Sequence, residues 1–164
     1  MGAVGLVLGV PIVLFLIVVV LILGGVTHVY GLTGGNHVFS VRYLFSHPGR
    51  SDLVALHVPA TAPAACRARH VAFERIVGLP GETWQEQHGR VYINHFLLRE
   101  PYLRPGDRDR RTHPPVRIPA GSYFVLGDDR HELCDSRAWG PVPRSAIIGR
   151  VIATYWPPSR IALH

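Results

Sequence analysis

The first 27 residues contain no ionisable side chain, and most of that stretch is Val, Leu, Ile and Gly. This constrains the chain more than any other feature. Residues 4–26, at a rise of about 1.5 Å each, span roughly 34 Å, slightly more than the ~30 Å hydrocarbon core of a bilayer. The expectation is an N-terminal transmembrane helix. Pro11 falls inside it, where a helix in lipid absorbs a kink. Gly24, Gly25 and then Thr27 and His28 mark its exit. A cleaved signal peptide is the competing reading. It needs a basic leading region and an apolar core of about 7–15 residues, whereas this run is longer and no Lys or Arg precedes it. The retained anchor is therefore favoured. Orientation is not set by charge: the first arginine is Arg42, near the limit of the ~15–20-residue window that the positive-inside rule counts.

The remaining residues are enough for one independent core. Residues 28–36 are rich in Gly and read as a linker, and residues 37–164 as one domain. That domain consists of short runs of Val, Ile, Leu, Tyr and Phe broken by Pro and Gly. They cover residues 38–45, 53–58, 71–77, 90–94, 122–126 and 147–155. Runs of this length between turn residues predict strands. No long stretch has a 3.6-residue apolar period, so helices should be few and short. The fold class is mainly β: an N-terminal transmembrane helix followed by an antiparallel β domain, partly coiled into a barrel-like core. Residues 61–69 and 104–119 read as exposed connections.

Charged residues are too few, at 17%, for a disordered polyampholyte. Two cysteines exclude a disulfide-dense miniprotein and a four-cysteine zinc site. Cys66 and Cys134 are read either as one bridge or as two free buried thiols, the latter being favoured. Ten scattered histidines form no metal-ligand spacing, so no metal and no cofactor is expected. All 17 basic residues are Arg, against 11 acidic ones. The anchor and the lack of an aromatic-basic motif argue against nucleic acid. Attraction to anionic membrane lipid accounts for the excess.

Four segments in order carry a resemblance. They are Phe73-Glu-Arg-Ile-Val-Gly-Leu-Pro-Gly-Glu82; Gly89-Arg-Val-Tyr-Ile-Asn94 with Glu100-Pro-Tyr102; Gly127-Asp-Asp-Arg-His-Glu-Leu-Cys-Asp-Ser-Arg-Ala-Trp-Gly140; and Tyr155-Trp-Pro-Pro-Ser-Arg-Ile161. Together they resemble the bacterial type I signal peptidase family over roughly residues 48–164. The scaffold positions of those motifs are Arg75, Gly78, Pro80, Gly81, Gly127, Asp128, Arg130, Asp135, Ser136, Arg137, Trp139 and Gly140. They also make physical sense alone. Gly78 and Gly81 around Pro80 predict a tight turn between strands. Asp128, Arg130, Asp135 and Arg137 alternate in sign, as an ion-pair network bracing a loop would.

The resemblance implies a membrane-anchored serine endopeptidase with a Ser nucleophile and a Lys general base. The chain departs from it at both. Glu74 stands where the family Lys precedes the Arg of the first box, and there is no lysine anywhere. Thr33 falls at the nucleophile position after Val29-Tyr-Gly31, without the family's following Met-x-Pro-Thr-Leu. The third box has Leu133 where the family has a Ser that hydrogen-bonds the Lys. The first expectation is a non-catalytic pseudoenzyme that binds exported proteins. The alternative is a divergent active peptidase with Thr33 as nucleophile and Glu74 as base, which requires burial to raise the carboxyl pKa. The plain reading of Glu74 is an exposed strand residue paired with Arg75, and of Thr33 a linker residue. A lost segment would explain neither Glu74 nor Leu133. The resemblance further implies that an extended preprotein or signal peptide lies beside Val71, Ala72 and Phe73. It places the chain in the bacterial plasma membrane, single-pass, with the C-terminal domain on the extracytoplasmic side.

Overall fold

Residues 14–18, 27–31, 37–41, 47–156 and 162–163 are described in the structure, a computed structural model. Antiparallel strands make up nearly all of its regular structure. In chain order these are β1 (Thr27–Gly31), β2 (His37–Val41), β3 (Leu53–His57), β4 (Val71–Gly78), β5 (Thr83–Gln87) and β6 (Arg90–Ile93). After them come β7 (Phe96–Leu97), β8 (His113–Arg117), β9 (Ser122–Leu126), β10 (Val142–Pro143), β11 (Ile147–Trp156) and β12 (Ala162–Leu163). Within residues 47–156 the α-helices α1 (Ala64–Arg67) and α2 (Ser136–Trp139) are one turn each, in agreement with the absence of any long helical period there.

The strands form two sheets. The larger runs β1-β2-β11-β3-β4-β9-β10, with β12 beside β11; the smaller runs β7-β6-β5-β8. Among the described residues the path of the larger sheet does not close on itself, so the expected barrel is an open sheet with a second sheet packed on it.

β3 and β4 are central, and both of their faces are covered. Val54 and Leu56 share one face with Ala72 and Ile76, packed with Tyr123, Val125 and Trp139. Ala55 and Val151, with Val71 and Phe73, pack on the other. A strand buried on both sides has no polar face to show, which is why these strands read as short continuous apolar runs. A second core joins the sheets: Trp84 of β5 stacks on Phe124 of β9 with ring centroids 4.1 Å apart, among Val77, Val91, Ile93, Ile118 and Leu126.

The turn predicted after β4 is present, but its two glycines do different work. Glu82 N–H donates to Leu79 O at 3.2 Å across Pro80 and Gly81, and Gly81 has a φ of +83°. That is the arrangement of a type II turn, which places Gly third. Gly78 still lies in β4, and packing is what keeps it small: a Cβ there would lie 2.3 Å from Ile118 Cδ1 and 3.0 Å from Phe124 Cβ.

Other expectations need correction or fall elsewhere. Strand β8 and the buried Asp109 and Ile118 lie within residues 104–119, so that segment is not simply an exposed connection. Helix α1, with buried Cys66, lies within residues 61–69. Strand β1 covers the front of the stretch read as linker and pairs with β2. Residues 32–36, Thr33 included, lie outside the described residues. So does most of the expected transmembrane helix, of which residues 14–18 are described as helical and exposed. Among the described residues no helix is long and apolar enough to cross a membrane.

Candidate functional site

Glu74 sits on β4 opposite Val54 of β3, on the face that also carries Ala72 and Ile76. Strand alternation therefore sends its carboxylate inward. It is 7% exposed, and its Oε2 has no hydrogen-bond partner. This overturns the plain reading of Glu74 as an exposed residue paired with Arg75. Burial pushes its pKa well above the usual carboxylate range. The negative charges of Asp135 and Asp128 push it further, against the opposing pull of Arg137 and Arg69.

Arg75, one residue on, faces the other way and serves the scaffold. Its Nε and Nη2 hold both oxygens of Asp128 at 2.7 and 2.6 Å. Its Nη1 donates to Ser51 O at 2.8 Å, and its guanidinium lies 4.3 Å from the centre of the Tyr102 ring. Asp128 is thereby fixed beside the Glu74 carboxylate, at the start of the segment that follows β9.

That segment, residues 127–140, is braced as its alternating charges predicted, although several partners come from elsewhere. Arg130 is fully buried, paired with Glu100, and its Nε donates to Gly127 O at 2.8 Å. Arg137 donates to Asp135 at 2.7 Å and to Asp109 at 3.0 Å. Asp135 caps α2 by accepting from Arg137 N–H at 2.8 Å, and Ser136 Oγ accepts from Val125 N–H at 3.0 Å. Trp139 is buried, and Gly140 ends the helix at a φ of +82°. Gly127 lets the chain pass close to the site, since a Cβ there would stand 3.3 Å from Glu74 Oε2.

Cys66 and Cys134 form a disulfide with Cα atoms 5.3 Å apart. This corrects the expectation of two free thiols: the fold brings α1 against residues 127–140, and no sequence pattern signals that approach. The bridge closes one side of a pocket of about 180 Å³ lined by Arg69, Phe73, Glu74, Gly127, Asp128, Asp129, Glu132, Cys134 and Asp135. Of the three residues expected to lie beside a peptide, Phe73 lines this pocket, Ala72 is buried in the core and Val71 is half-buried. Leu133 is not among the lining residues and is 42% exposed. Among the described residues, no group of three His, Cys, Asp or Glu is placed to hold a metal ion.

Sequence reasoning missed a second buried carboxyl of raised pKa. Glu86 of β5 has a fully buried side chain, 3.6 Å from His113 Nε2 and 3.8 Å from Arg137 Nη1. Burial raises its pKa to about 7. The signal was available: in Thr83-Trp-Gln-Glu-Gln87 it shares a strand face with Trp84.

Comparison with known proteins gives the relatives of this chain. Residues 3–156 match the family model described as signal peptidase, peptidase S26. A signal peptidase I of Leptolyngbya laminosa is 40% identical over 126 residues, covering 76% of this chain and 61% of the relative. The chloroplastic thylakoidal processing peptidase 1 of Arabidopsis thaliana is 32% identical, covering 80% of this chain and 40% of the relative. The chain thus spans between two fifths and three fifths of the length of these relatives. A crystal structure of a signal peptidase I from Enterococcus faecalis superposes with a TM-score of 0.52 at 27% identity, covering 64% of this chain and 97% of that one.

Proposed function

The chain belongs to the signal peptidase family, peptidase S26, and on that premise we propose that it removes signal peptides from exported preproteins. Glu74 is the general base and Thr33 the nucleophile. The observation that carries this reading is the Glu74 carboxylate itself: it lines a pocket, keeps an unpartnered oxygen and has a pKa raised by burial, and the resemblance of Phe73–Glu82 to the family's first box aligns it with the Lys base. A carboxylate is better matched to work as a base near neutral pH when its pKa is raised toward neutrality.

In this reading the substrate lies extended beside Val71, Ala72 and Phe73. Ionised Glu74 takes the Thr33 hydroxyl proton as Thr33 Oγ1 attacks the scissile carbonyl carbon. The proton then passes to the leaving amine as the C–N bond breaks. Water hydrolyses the resulting ester and restores Thr33. The N-terminal apolar segment anchors the chain in the bacterial plasma membrane as a single pass, with the catalytic domain on the extracytoplasmic side. Surface arginines meet anionic lipid there.

A second reading, recognition of signal peptides without cleavage, is favoured by one observation. The sequence contains no lysine and no Ser-Met-x-Pro-Thr-Leu box. One experiment separates the two: cleavage of a preprotein bearing an Ala-x-Ala site by the detergent-solubilised full-length chain. Thr33→Ala and Glu74→Ala run beside it, with an authentic signal peptidase as control. Cleavage lost in both variants supports the Thr/Glu reading. Binding without cleavage by the wild type supports recognition alone.

A further inference from the structure

The pocket beside Glu74 holds more negative charge than the surrounding chain balances. Five carboxylates line it. Arg75 pairs with Asp128, Arg137 with Asp135 and Arg69 with Glu132. Neither Glu74 nor Asp129 forms an ion pair among the described residues. Asp129 Oδ1 accepts only the His131 amide, at 3.0 Å, and Arg69 and Arg137 act on Glu74 through space alone. With these three arginines set against the five carboxylates, two negative charges remain when Glu74 is ionised and one when it is protonated. Glu74 is also more than nine-tenths buried with Oε2 unpartnered, and a buried polar group in that state favours any ligand that supplies a donor.

The volume suits a side chain better than a water. About 180 Å³ is more than ten times the ~10–15 Å³ that one water needs. The Phe73 side of the pocket and the Cys134 bridge give an aliphatic stem something apolar to lie on, while the carboxylates meet its charged end. The described residues offer no three-ligand cluster for a metal ion, and the apolar wall beside the carboxylates suits an organic cation.

We propose that this pocket is a monocation site that selects a Lys or Arg side chain of an extended peptide, with Glu74 and Asp129 as its counter-ions. The peptide part of the inference rests on the reading that this site takes segments of exported proteins. The substrate class is then a preprotein with a basic residue at the position that enters the pocket. The bound cation favours ionised Glu74. Binding therefore releases a proton from Glu74 and tightens as pH rises through its range. Asp128, Asp135, Arg69 and Arg137 act on Glu74 and set that range together with its burial; Asp129 and Glu132 line the same pocket, and Arg75, on the opposite face of β4, pairs with Asp128.

The test uses the full-length chain in detergent and calorimetric titration. The ligands are n-butylammonium, neutral n-butanol, and a peptide series carrying Lys, Arg, acetyl-lysine or norleucine at one position. Glu74→Gln keeps the side-chain shape, and Asp129→Asn alters only an exposed residue. The expected result is that n-butylammonium binds and n-butanol does not. Lys and Arg peptides bind about tenfold tighter than norleucine, the factor that one charge-assisted hydrogen bond supplies. Both variants weaken that preference. Equal affinity for Lys and norleucine overturns the charge selection while leaving the peptide-processing reading intact. Saturable, Glu74-dependent binding of n-butylammonium with no binding of any peptide upholds the cation site and overturns that reading. No binding of n-butylammonium, with no Lys preference, overturns the inference.

Discussion

Arg75 and Asp128 form a two-pronged pair: Nε and Nη2 of one meet Oδ1 and Oδ2 of the other at 2.7 and 2.6 Å. The pair joins β4 to the segment after β9, so it fixes how Asp128 faces Glu74. Arg75 also lies over the Tyr102 ring. A lysine cannot reproduce the fork or the stacking. Arg75→Lys is expected to destabilise the domain by about 2 kcal/mol, the scale of a hydrogen bond to a charged group. Chemical denaturation measures this, and a loss below ~0.5 kcal/mol would contradict the bracing role.

The Cys66–Cys134 bridge spans 68 residues of sequence. Closing a loop of that size restricts the unfolded chain, and a native disulfide contributes about 2–4 kcal/mol. Replacing both cysteines by Ala is expected to lower stability by that amount. It is also expected to speed amide exchange in residues 127–140 ahead of β3 and β4, because the bridge is one of the ties holding that segment over the pocket. Uniform exchange across the domain would count against this.

What was legible in the sequence follows from where the determinants are local. Strands β3, β4, β9 and β11 were read from short apolar runs, and the Pro80-Gly81 turn from its two residues. Strand β8 was missed because His113-Pro-Pro-Val-Arg117 carries two prolines and little apolar patterning; its place is set by pairing with β5. Glu74 was found only as a substitution at a motif position. Its burial was not legible, because adjacent Arg75 offers a partner in sequence that strand alternation sends to the opposite face. The disulfide depends on an approach over 68 residues that no local pattern encodes.

Gly127 brings the backbone close to the candidate base. A Cβ there would meet Glu74 Oε2 and Asp129 O, each at 3.3 Å. Gly127→Ala is expected to cost about 1 kcal/mol of stability. Its larger effect should be on the pocket, with n-butylammonium affinity reduced about tenfold or more, since small misplacements at a preorganised site are costly. Thermal unfolding and calorimetric titration of the same preparation separate the two. Unchanged affinity would place the pocket's binding surface away from Gly127.

Glu86 makes the domain's stability depend on pH in a definite direction. Its ordinary pKa is 4.5 and burial raises it to about 7. Below about pH 4.5 the folded and unfolded chains both carry the proton, and nothing is lost. Between about 4.5 and 7 the unfolded chain releases a proton that the folded chain keeps, so stability falls as pH rises. Above 7 the deficit is constant, at up to about 3 kcal/mol. Glu74, also raised, acts in the same direction. Glu86→Gln removes one titration while keeping the side-chain shape beside His113 and Arg137. The variant is therefore expected to gain on the wild type between pH 5 and pH 8, and to differ little from it at pH 4. Urea titrations of both proteins across that range measure the gap. A gap that stays constant with pH would mean that folding leaves the Glu86 pKa at its unfolded value, the pull of Arg137 3.8 Å away offsetting burial.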